Sequence, residues 1–61
     1  MTNTKDALKA QRNTLMEALK ALKAIQTTAD FSDQLDTKMN EVERKVLRAA
    51  TELNEIISKL V

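Results

Sequence analysis

The side chains of this sequence that can titrate are nine carboxylates and ten lysines and arginines, because histidine, cysteine and tyrosine are absent. General acid and base catalysis draws mostly on those missing types, and a loop that cradles phosphate needs glycine, of which there is none. The spacing of the carboxylates suits a plainer role. Glu41 with Lys45, Arg48 with Glu52, and Glu55 with Lys59 stand one helical turn apart, the interval of exposed ion pairs that contribute a few tenths of a kcal/mol each. Metal-binding carboxylate pairs normally point into a bundle core and are joined by histidine. The sequence therefore predicts no catalytic residue, no metal, no cofactor and no enzymatic activity.

The cations are arranged more distinctively. At about 100° per residue, Lys5, Lys9, Arg12, Lys20 and Lys23 fall within roughly 80° of one another on a helix, with Met16 in their midst and no acid among them. Such a stripe can follow a phosphate backbone, releasing counterions as it binds and so becoming salt-sensitive. Two considerations weigh against it. Asp36 and Glu43 of a second helix are expected opposite Lys23 and Lys20, which would neutralise the half of the stripe near the turn. No aromatic residue lies on the stripe to stack a base.

The elements that carry these residues follow from composition and periodicity. With no glycine, no proline, one phenylalanine and 31% charged residues, the chain reads as helical throughout. Its 61 residues make one domain, a single helical hairpin over residues 1–61, and a chain this short buries only about 60% of the surface exposed by its unfolded form. Without cysteine no disulfide can compensate. Self-association is the remaining remedy. The net charge of +1 exerts no global pull on nucleic acid or anionic membrane. No apolar run approaches the roughly 20 residues that span a bilayer, and the polar start Met1-Thr2-Asn3-Thr4-Lys5-Asp6 does not read as a signal peptide. A cytoplasmic protein of bacterial or phage type, without membrane contact, is expected.

The predicted architecture is an all-α antiparallel hairpin with helices over about residues 4–27 and 32–60. Asn3 or Thr4 can cap the first, with Asp6 complementing its dipole. Leu8, Leu15, Leu19 and Leu22 line one face of it, with Ala18 and Ile25 beside them. The break from Thr27 to Asp33 offers Asp30, Ser32 and Asp33 as caps, and Phe31 is expected to fold back over the end of the core. On the second helix Leu35, Met39, Val42, Val46, Ala49, Leu53, Ile56 and Leu60 alternate spacings of four and three, a coiled-coil seam. Leu47, Ala50, Ile57 and Val61 widen it beyond what one partner helix can cover. These four, with Leu53 and Leu60, are the expected dimer or partner surface. Antiparallel pairing about the turn opposes residues whose numbers sum to about 59 at equal rise. Dimerisation of two hairpins into a four-helix bundle is the expected outcome. A parallel dimer is the rival, because Lys38 and Lys45 flank one side of the seam and Asp36 and Glu43 the other.

Two resemblances add functional expectations. Ser32, Leu35 and Asp36 form Ser-x-x-Leu-Asp at the start of a second helix. The fragment resembles the signature of the Spo0E-like aspartyl-phosphate phosphatases, short helical hairpins that act on phosphorylated response regulators. The resemblance covers five positions and implies roles for Ser32 and Asp36, although here the second helix runs on well past the motif. In size, and in the placing of a basic stripe on its first helix, the chain resembles the Rop family of plasmid proteins, which implies binding of RNA loop pairs through that helix. The reading drawn from the residues themselves is a non-catalytic binding or regulatory module that self-associates and contacts a helical protein partner. RNA regulation is the first alternative and aspartyl-phosphate hydrolysis the second.

Overall fold

The computed structural model describes residues 3–60 and has two helices, α1 (Thr4–Thr28) and α2 (Asp33–Lys59), with no strand among the described residues. Both begin where side-chain oxygens can satisfy the free N–H groups of a first turn. Asn3 Oδ1 accepts from the Lys5 N–H at 3.0 Å. Ser32 Oγ accepts from the Leu35 N–H at 3.3 Å, with Asp33 and Asp36 in the first turn behind it. The helix limits lie within one residue of those expected.

The ends are set by the lack of glycine. A left-handed residue commonly closes a helix, but no described residue has positive φ. Instead Ala29 closes α1 in extended geometry, its N–H donating to the Ile25 carbonyl at 2.8 Å. Thr27 and Thr28, expected in the turn, belong to the last turn of the helix, and their hydroxyls donate back to the carbonyls of Lys23 and Ala24 at 2.8 and 3.1 Å. Phe31 in the link is only half-buried.

α1 and α2 pack antiparallel along their length, forming a rod with Cα extents of 46 × 17 × 10 Å. Its radius of gyration of 14.4 Å exceeds the about 10.5 Å of a compact domain of this length. Two helices side by side enclose little. Leu19, Ala50 and Ile57 are the buried apolar residues among those described, and no large side chain is wholly removed from solvent. Leu8, Leu15 and Leu22 of α1 and Met39, Val46, Leu53 and Leu60 of α2 line the same seam half-buried.

This seam corrects the expected one. On α2 the hairpin uses Met39, Glu43, Val46, Ala50, Leu53, Ile57 and Leu60, so the line is rotated toward residues read as flanks. Ala50 and Ile57, expected on a partner surface, are buried against α1, and Leu53 and Leu60 are half-buried beside them. Leu47 is exposed, and Val61 lies outside the described residues. The displaced half of the seam, Leu35, Val42 and Ile56, faces solvent.

Cross-helix contacts set the register. Arg12 Nη1 donates to Asn54 Oδ1 at 2.9 Å, and the Gln26 amide meets Asn40 at 3.0 Å. Simple opposition would place Leu47 beside Arg12 and Asp33 beside Gln26. Side chains lean toward the N-terminus of their own helix, away from the turn on α1 and toward it on α2. That lean accounts for the direction of the offset.

Two substitutions test this account at fixed protein concentration. Ser32→Ala removes a cap worth about 1 kcal/mol, and Leu19→Ala opens the centre of the seam at a cost of roughly 2–5 kcal/mol. Thermal melts followed by circular dichroism should show the first as a modest drop in midpoint and the second as a large drop or outright loss of helix. Equal effects would contradict the burial pattern.

Candidate functional site

The hairpin has two broad faces with different chemistry, and helix geometry assigns residues to each. On α1 the inner line runs through Leu8, Leu15, Leu19 and Leu22. At about 100° per residue the basic stripe lies to one side of it, and Ala18 and Ile25 lie to the other. On α2 Asn54 and Leu47 lie to one side of the inner line, while Leu35, Val42, Ala49 and Ile56 lie to the other. The Arg12–Asn54 bond joins the first pair of sides. Ala18 and Ile25 therefore share the opposite face with Leu35, Val42, Ala49 and Ile56.

The first face is basic. Lys20 and Lys23 are exposed, while Lys5, Lys9 and Arg12 are half-buried. Met16 and Leu47 are exposed apolar residues on this face. The expected neutralisation from α2 does not occur. Asp36 and Glu43 turn toward Gln26, and the only ion pair among the described residues is Lys38–Glu41 at 3.6 Å. Glu41–Lys45, Arg48–Glu52 and Glu55–Lys59 do not close to ion-pair distance, as befits exposed pairs whose side-chain freedom outweighs a weak attraction. Arg12 satisfies its guanidinium on amide oxygens, those of Asn54 at 2.9 Å and Asn13 at 3.2 Å.

Near the turn the seam becomes polar. Glu43 is 8% exposed, on the inner line of α2 between Met39 and Val46. The Gln26 amide lies between it and Asn40, with Asp36 Oδ1 at 3.5 Å. A carboxylate accepts only, so the chemically consistent orientation turns the amide nitrogen to Glu43 Oε1 at 3.0 Å and its oxygen to a likewise turned Asn40. No described cluster of carboxylates has the makings of a metal site. This burial also removes Glu43 from the charge pattern that favoured a parallel dimer.

Of the Ser-x-x-Leu-Asp fragment, the Ser32 hydroxyl caps α2, and Leu35 is exposed. Arg44, Leu47, Arg48, Thr51, Glu52 and Glu55 line a shallow depression on the outer side of α2.

The second face carries apolar side chains that the hairpin leaves about half exposed. Leu35 is 53% exposed, Ile25 52%, Ile56 49% and Val42 40%. The alternating seam predicts Leu35, Val42 and Ile56 inside, and helix spacing places Ile25 beside the leucine face, yet all four are exposed. The regular seam was visible in the sequence, but not the rotation of α2 that turns half of it outward.

The chain is thus a two-helix hairpin with one basic and one apolar face, and no described helix is long and apolar enough to cross a membrane. Comparison with protein-family models, curated proteins and solved structures finds no match. The residues alone carry the functional argument.

The Glu43 cluster makes a prediction of its own. Glu43→Leu restores an apolar layer where a carboxylate is now desolvated and leaves Gln26 its contact with Asn40. It should stabilise the protein by about 1 kcal/mol, raising the thermal midpoint by roughly 4–8 °C. A midpoint at or below that of the wild type would mean that the amide–carboxylate bonds outweigh the desolvation of Glu43.

Proposed function

We propose that this chain is a non-catalytic helical-hairpin module that acts through self-association and through contacts with a helical protein partner, in a regulatory or binding role. One observation carries the reading: the seam of the hairpin is half-covered, with three apolar residues buried among those described and six large ones exposed. Scattered apolar residues on a surface need no explanation, but four of these six share one face along an elongated rod. A second hairpin would bury them and close a four-helix bundle. The other face, where Met16 and Leu47 lie among cations, remains for a protein partner, with Leu47 as the apolar anchor.

Sedimentation equilibrium over a wide range of protein concentration tests self-association directly. A dimer is expected, with a thermal midpoint that rises with concentration. A monomer at every concentration, or a midpoint independent of concentration, would overturn it.

A second reading is favoured by the basic face, whose lysines meet no carboxylate of the hairpin within ion-pair distance among the described residues. On this reading the chain is an RNA-binding regulator that uses Lys5, Lys9, Arg12, Lys20 and Lys23. Changing Lys9, Lys20 or Lys23 to Glu should then weaken binding to a pool of short structured RNAs and flatten its salt dependence. Unchanged RNA affinity in these variants would rule it out.

A further inference from the structure

We infer that the occupant of the apolar face is a second copy of this chain, docked with its α2 antiparallel to the first so that Lys45 meets Glu52 across the interface. The inference rests on the self-association reading and adds the face, the orientation and the register.

The first argument is periodicity. Leu35, Val42, Ala49 and Ile56 repeat at intervals of seven. A straight helix drifts by about 20° over each such interval, so a strict repeat is continuous only against a helix that supercoils along it. α1 is not that helix, since it packs on the side of Ala50 and Ile57. An unoccupied, regular heptad line calls for another helix of matching length.

The second argument is self-complementarity. The half-covered line Met39, Val46, Leu53 and Leu60 lies beside the outward line. Antiparallel pairing of α2 with its own copy can set each residue of one line against a residue of the other: Met39 against Ile56, Val46 against Ala49, Leu53 against Val42, and Leu60 against Leu35. No apolar position overhangs. The same register places Lys45 beside Glu52 of the second copy, twice by symmetry, near the centre of the interface. Lys38 and Lys59 meet only at the exposed ends. Parallel pairing forfeits this match, because it needs Glu43, which the hairpin buries.

The third argument is area and charge. A face 46 Å long and 17 Å wide has a footprint of about 800 Å², the share of one partner in an interface of standard size. α1 contributes Thr4, Gln11, Ala18 and Ile25 to it, none of them charged. Two such uncharged edges can approach without desolvating an ion.

The test is sedimentation equilibrium on the full chain. Val42→Glu buries two charges by symmetry and should weaken the dimer by about a hundredfold, whereas Leu47→Glu on the opposite face should leave it unchanged. Because Val42→Glu could also disturb folding, the decisive variants are at Lys45 and Glu52, both exposed in the hairpin. Lys45→Glu alone and Glu52→Lys alone should each weaken the dimer on the order of tenfold, and the double reversal should restore it. A wild-type dimer in which the double reversal rescues nothing, or in which Leu47→Glu dissociates the subunits, would overturn the face and register while leaving self-association intact. A wild-type monomer would remove both and reassign the face to a foreign helix.

Discussion

Two helices in contact can each hide only one line of side chains, and the apolar surface of α2 is wider than one line. That excess governs the molecule. The hairpin buries the edge of the stripe that includes Ala50 and Ile57 and leaves Leu35, Val42 and Ile56 in water. The extended shape, the half-buried leucines of α1 and the exposed isoleucines follow from the same shortage of cover. Enlarging the side chains within the seam would not cure it, because the unmet demand lies on the outside of the rod.

The two edges of the α2 stripe each carry an alanine at mid-length, Ala49 and Ala50, and the hairpin turns the Ala50 edge inward. Ala50 lets the helix axes approach at the middle of the hairpin, where Leu19 of the opposing helix is also buried. Polar residues then pin the arrangement at both ends. Arg12 with Asn54 lies toward the free end, and Gln26 with Asn40 and Glu43 lies toward the turn. The cost is a buried carboxylate, tolerated because the Gln26 amide reaches it. Lys20 and Lys23 are left exposed by the same choice, since Asp36 and Glu43, which would have met them, lie toward Gln26.

Much of this was legible in the residues. Asn3 and Ser32 mark helix starts because a short polar side chain can bond the free amides that follow, and that chemistry is local. The antiparallel hairpin follows from the short link and from two periodic apolar faces. Rotation about the helix axis was not legible. Periodicity fixes the angles between residues of one helix but not the direction in which the set points, and a stripe with two apolar edges admits two answers. Glu43 offered a clue that charge patterning obscured: as a flank it looked like a partner for lysine, although Gln26 on the facing helix is the kind of residue that would accept it in a core. Nor does spacing decide the exposed ion pairs, because it brings two side chains within reach without holding them there.

The polar contacts at the two ends of the seam also bear on what the chain avoids. Leucine and valine are nearly interchangeable to a sliding neighbour, so an apolar hairpin could slip by one turn at little penalty. Here a slip would strand Glu43 among leucines and part Arg12 from Asn54 in the same movement. The bonds therefore act as a vernier, aligning the rod along its length even where its core is too thin to do so by shape.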